Sequence, residues 1–164
     1  MDVMIRRAAA LAVVLAAFFS ACSGDGGDEP TPFPTFEPVE ATPATGQIEV
    51  VLGEWSVLPD AEQAAAGTVD LEINNDGRVA HELLVIGTDL DAGELPTTAD
   101  GAVDTTKLEV IAEAKDIAPE GRADLAPDLD AGPYVLVCNI VDEADDGTTR
   151  AHYKLGMRTA LVVQ

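Results

Sequence analysis

From Gln47 onward the chain falls into short apolar runs separated by turn residues, which is the pattern of an all-β domain. The runs predict strands over 47–52, 54–58, 67–74, 80–86, 108–114, 122–125, 133–140 and 158–163. Pro59-Asp60, Asn75-Asp76-Gly77, Pro119-Glu120-Gly121 and Asp130-Ala131-Gly132 mark the turns between them. Ala61–Ala66 reads as one helical turn, and the polar, Gly- and Pro-spotted stretch 89–106 as a long loop with a short helix. About eight strands between Gln47 and Gln164 suit a Greek-key β-sandwich of two packed sheets.

Alternation within the runs sorts the faces. Val69, Leu71 and Ile73 share one side of their strand, with Thr68, Asp70 and Glu72 on the other, so that strand has a dry and a wet face. The run 133–140 is apolar on both sides, as in a central strand beside a buried site. Only 7 of the 164 residues are aromatic, so the core must be mainly aliphatic. Trp55, the sole tryptophan, reads as a core filler rather than a binding residue.

The N-terminal residues read as an address rather than as part of the fold. Arg6 and Arg7 precede an apolar stretch from Ala8 to Phe19, too short to span a bilayer comfortably, which ends in Phe19-Ser20-Ala21-Cys22. That ending resembles the lipobox of bacterial lipoproteins, with Phe19 where leucine is usual. The resemblance implies a signal peptide over residues 1–21, acylation of Cys22, and an extracytoplasmic protein lipid-anchored to the cell membrane. Residues 22–46 carry five of the ten prolines among Gly, Thr, Asp and Glu, and so read as a disordered, semi-extended tether to a domain spanning 47–164.

Charge excludes one class of partner. Thirty acidic residues against nine basic ones give a formal charge of −21, which repels phosphate backbones and argues against nucleic-acid binding. A protein partner should present a basic patch.

With the signal removed, the chain keeps two cysteines, two histidines and one methionine. If Cys22 carries lipid, Cys138 has no partner for an internal disulfide. An unpaired cysteine in an exported protein is an inert buried thiol, half of an intermolecular bridge, or a metal ligand. The neighbours favour the last. Cys138 ends an apolar strand, His81 opens an earlier one, and His152 and Met157 lie just before the final strand. No other histidine, and no other methionine beyond the signal, competes for the role. Two imidazoles, one thiolate and a weak axial thioether make the donor set of blue copper. Zinc gains little from a thioether and takes a fourth strong ligand or water.

The stretch 134–163, YVLVCNIVDEADDGTTRAHYKLGMRTALVV, resembles the C-terminal ligand loop of cupredoxins, and Asn74 to His81 resembles the strand and turn that deliver their first histidine. The likeness is greatest to the plastocyanin and sulfocyanin-like group and covers about residues 47–164. It implies one type 1 copper ion held by His81, Cys138, His152 and Met157. It further implies a monomeric electron carrier that meets redox partners at the membrane surface through an exposed edge of His152. Two departures stand out. Thirteen residues separate Cys138 from His152, where small members have only a few, and Glu82 stands where Asn or Ser often follows the first histidine. The extra segment, 141–151, is acidic and reads as a solvated insertion more readily than as a docking loop.

Other chemistry finds no support. Asp89-Leu90-Asp91-Ala92-Gly93 lacks calcium-loop spacing, there is no phosphate-binding glycine loop, and a serine–histidine–acid triad would consume a histidine of the copper set. With both histidines committed, no second copper site of the kind an oxidase needs can form, so the chain is not expected to be an enzyme. The alternative to an electron carrier is a protein that captures or delivers copper. A third reading is a metal-free interaction module on the same fold.

Overall fold

The computed structural model describes residues 46–144 and 146–164. The signal peptide, Cys22 and nearly all of the tether lie outside the described residues. Strands β1 (Gln47–Gly53), β2 (Ser56–Pro59), β3 (Gln63–Ala64), β4 (Gly67–Thr68), β5 (Asp70–Asn75) and β6 (His81–Gly87) come first. A 3-10 turn at Thr105–Lys107 precedes β7 (Glu109–Ile117), β8 (Arg122–Leu125), β9 (Asp128–Leu129) and β10 (Gly132–Val137). The chain ends with β11 (Val141–Glu143), β12 (Thr149–Ala151), the single helical turn α1 (His152–Leu155) and β13 (Arg158–Val163). Among the described residues no helix is long and apolar enough to cross a membrane.

Two mixed sheets carry the domain: one ordered β2-β1-β5-β8, the other β3-β13-β10-β6-β7. β1 runs parallel to β5 and β13 parallel to β3, and the remaining pairs in these sheets are antiparallel. The aliphatic core joins them. Ile48, Val50 and Leu52 of β1 and Leu71 and Ile73 of β5 pack in one cluster with Leu83 and Val85 of β6, Leu136 of β10 and Leu161 of β13. Those of β1, β5 and β13 lie on the buried side of an alternating strand, as the period of two requires, whereas β6 and β10 are buried on both faces. This is the all-β sandwich that the apolar runs imply.

Central strand β10 lies between β13 and β6 and is apolar on both faces for a reason visible in the packing. Leu136 faces the sandwich, whereas Val135 and Val137 join Leu84, Ile86 and Tyr153 in a second cluster on the outer side. Leu95 and Val103, from the long segment after β6, complete that cluster. The segment is therefore a cover for the outer face of the sheet, pinned where Asn139 exchanges two hydrogen bonds with the Val103 backbone. It carries one 3-10 turn where a short helix is expected.

Two local expectations fail. Ala61–Ala66 is not helical: Gln63 and Ala64 form β3, which adds to the edge of β13. Hydrogen bonds from Val162 to Glu62, from Gln164 to Ala64 and from Ala66 to Gln164 outweigh the helix preference of alanine. The insertion over 141–151 is not an open loop either, because β11 and β12 pair from Val141↔Ala151 to Glu143↔Thr149.

Candidate metal centre

Three buried side chains converge at one end of the sandwich. His81 is the first residue of β6, Cys138 follows the last residue of β10, and His152 opens α1. One ligand atom from each lies within 4.8 Å of the others. His152 Nδ1 is 3.3 Å from Cys138 Sγ and 3.2 Å from His81 Nδ1, and His81 Nδ1 is 3.8 Å from the same sulfur. All three residues are 0 % exposed.

Backbone bonds hold the fourth candidate to two of the other three, Cys138 and His152. Met157, also fully buried, directly precedes β13. Its N–H donates to the His152 carbonyl (3.1 Å), and its own carbonyl accepts from Cys138 N–H (3.1 Å). His152 N–H donates to Ile140 O (2.9 Å), which closes the lacing between the two ligand-bearing segments. Gly156 lets α1 stop within one turn: its φ is +126°, a conformation open to glycine, and a Cβ there would meet Trp55 O at 3.0 Å. Glu82 N–H points at Cys138 Sγ (3.4 Å), so the backbone after the first histidine reaches the sulfur whatever side chain stands there.

A second ring of residues, not evident in the sequence, shapes the first. Asn75 is fully buried and donates from Nδ2 to Val79 O (2.9 Å) and Ile117 O (2.8 Å), while its Oδ1 accepts from Gly77 N–H (2.9 Å). It thereby fixes the turn that presents His81. Glu54 Oε1 accepts from the N–H groups of Arg78 (2.5 Å) and Val79 (3.1 Å) and lies 3.7 Å from His81 Nε2. Gly77 makes room for this arrangement, since a Cβ would fall 2.6 Å from Glu54 Oε1 and 2.8 Å from His81 Nε2. On the other side, Asp142 Oδ2 lies 3.6 Å from His152 Nε2, and Arg150 holds that carboxylate through Nε (2.8 Å) and Nη2 (2.5 Å).

His152 does not present an exposed edge. Its ring is 0 % exposed and packs against Trp55, 4.8 Å away between centroids in an edge-on contact, with Asp142 of the β11–β12 hairpin beside its Nε2 and Arg150 paired to that carboxylate. Trp55 does pack against the main core, as a filler would, but it also touches His81, with centroids 6.5 Å apart. The insertion therefore delivers two side chains to the site and is more than a solvated excursion.

Electrostatics and hydrogen bonding fit a cation here. Both imidazoles are held below their ordinary pKa, chiefly by burial; proximity to His152 lowers His81 further, and the carboxylates of Glu54 and Asp142 pull each upward. Both are therefore neutral near pH 7, as ligands must be. The buried Nε2 atoms have no hydrogen-bond partner, although each has a carboxylate just beyond bonding distance. A proton on Nε2 directed at that carboxylate leaves the Nδ1 lone pair for a metal, which is how outer carboxylates orient ligating histidines. Burial pushes the Cys138 thiol up to about 11, against the pull of the Glu82 and Ile140 N–H groups. A metal cation is the partner that would make thiolate the stable form. Among the described residues this is the one cluster of histidine, cysteine and carboxylate ligand atoms that could hold a metal.

The fold is a cupredoxin-like β-sandwich, and the His–Cys–His–Met group fits a type 1 copper site. Solved structures agree on the fold. A dithionite-reduced auracyanin from Roseiflexus castenholzii superposes with a TM-score of 0.52 at 21% identity, over 75% of this chain and 99% of that one. An auracyanin B structure gives 0.51 at 18% identity, over 77% and 93%. No family model matches the sequence, and no curated protein sequence matches it.

Proposed function

We propose that this protein is a one-electron carrier holding a single copper ion between His81, Cys138 and His152, with Met157 as the weak axial donor. The carrying observation is that two imidazole Nδ1 atoms meet one cysteine sulfur in a fully buried pocket, with the methionine tied to both ligand segments through its backbone. Bound there, copper supplies a one-electron couple, Cu(II)/Cu(I).

The protein's part is to hold the donors still. Backbone bonds fix Met157 and Cys138 relative to one another, Asn75 fixes the turn before His81, and the core strands anchor both ligand segments. A donor set that keeps its geometry in both oxidation states needs little reorganisation when an electron moves. Complete burial of all four donors supports retention of the ion over its delivery, because a carrier of copper must open to hand it on. We extend the proposal to location: the Cys22 lipobox resemblance and the Pro-rich tether support a domain anchored outside the cytoplasm and reaching redox partners at the membrane surface.

Adding Cu(II) to the purified protein should produce an intense visible thiolate-to-copper band at one ion per chain, absent in Cys138→Ser. A colourless protein that takes up no stoichiometric copper refutes the reading. Labelled fatty acid should be incorporated in an exporting bacterial host and lost in Cys22→Ala; incorporation that survives the substitution removes the anchor proposal.

A further inference from the structure

All four donors are 0 % exposed, so an electron reaching or leaving them must pass through a neighbouring group. Electronic coupling falls steeply with distance and is carried best where π systems touch. Among the described residues Trp55 is the aromatic side chain whose ring contacts both imidazoles, at 4.8 Å from His152 and 6.5 Å from His81 between centroids. It is only partly buried, and the Arg150 guanidinium lies 5.2 Å from the ring centroid. Arg150 and Asp142 form an ion pair, and their side chains are 28 % and 29 % exposed. The edge of His152 is thus replaced at the surface by an indole flanked by a paired arginine.

We infer that Trp55 is the port through which electrons pass between the buried donors and a docked partner, with the Arg150–Asp142 pair holding it over His152. The inference rests on the electron-carrier reading and sharpens where that reading places the exit. In the outward step one electron leaves the reduced site, crosses by way of the indole and arrives on an oxidised outer-sphere acceptor, a one-electron metal complex. The site is oxidised and the acceptor reduced. The indole is unchanged overall, and no bond forms or breaks. The same balance runs backwards for a one-electron reductant.

Two measurements test it. In the copper-free protein the emission of the sole tryptophan should be quenched by one equivalent of Cu(II), with the end point at 1:1, and not by one equivalent of Zn(II). Emission indifferent to Cu(II) taken up at that stoichiometry overturns the contact on which the port depends. In the copper-loaded protein, oxidation by a tris(phenanthroline)cobalt(III) complex should slow about tenfold in Trp55→Leu, a change worth about 1.4 kcal/mol of activation. It should recover in Trp55→Phe, which keeps a ring against the imidazoles. The visible band and reduction potential should stay near those of the unsubstituted protein in both variants. An unchanged rate in Trp55→Leu overturns the port, and a faster one shows that Trp55 insulates His152 instead. If Trp55→Leu fails to fold or load, Trp55→Met, which also removes the ring but keeps an apolar side chain, takes its place, and an unchanged rate there overturns the port in the same way. A protein that never develops the band fails the carrier reading itself, a result distinct from a normal band with indifferent kinetics.

Discussion

Removing the Asn75 side chain tests how far the first histidine depends on the turn that carries it. In Asn75→Ala three partners lose their bonds: Ile117 O and Gly77 N–H in buried surroundings, and Val79 O in a partly buried one. Leaving a buried polar group unpaired costs about 1–3 kcal/mol. The two buried partners should together cost about 3 kcal/mol, with Val79 O recovered by water at little cost. For a domain of this size that corresponds to a fall in Tm of roughly 12 °C, taking about 4 °C per kcal/mol. The measurement is urea and thermal unfolding of the copper-free protein, so that metal binding does not add to the stability of the native state. Asn74→Ala is the control. Asn74 bonds Glu49 at 2.8 Å on the exposed side of the same strand, and its loss should stay within about 0.5 kcal/mol. If Asn75→Ala costs no more than the control, water or a backbone shift satisfies the turn, and Asn75 is not what holds it.

Two further outcomes follow from the donor set. Met157→Leu should keep copper bound while the reduction potential rises, because a weak donor to the oxidised ion is lost; cyclic voltammetry checks the direction, and loss of all binding would make Met157 a principal ligand. Near pH 7 both histidines are neutral and the Cys138 thiol, raised to about 11, is protonated, so loading one copper should release one proton. Copper affinity should accordingly rise about tenfold per pH unit between roughly pH 7 and 9, and a pH-independent affinity would show that the thiol does not become the ligand.

Much of the sandwich is legible in the sequence because its strands obey simple rules. β5 alternates strictly, so Leu71 and Ile73 could be assigned to the core, and the doubly apolar β10 announces a strand buried on both faces. The three side chains that the fold brings together were also within reach, since His81 and His152 exhaust the histidines of the chain and Cys138 is the cysteine outside the lipobox. Edges and turns are where sequence reasoning fails. β3 exists because β13 offers a free edge to Gln63 and Ala64, information held about 100 residues away. The roles of Asn75 and Gly77 have a faint sequence signal, as parts of a recognised turn motif. Glu54 has none: one more acid among thirty, it is singled out only when the fold brings it against residues 77–81.

The segment 139–151 shows why the misread parts are those that distinguish this protein from its resemblance. Its composition is that of a solvated loop, and Asp142 and Arg150 look like two more surface charges eight residues apart. Pairing Val141 with Ala151 turns that spacing into a cross-strand neighbour relation, since Asp142 then stands opposite Arg150. The pair closes with two hydrogen bonds, Arg150 comes to lie against Trp55, and Asp142 comes within 3.6 Å of His152 Nε2. Extra length between the cysteine and the second histidine therefore does not loosen the site. It places Asp142 beside the His152 ring and Arg150 over Trp55, so that the imidazole is enclosed rather than open to solvent.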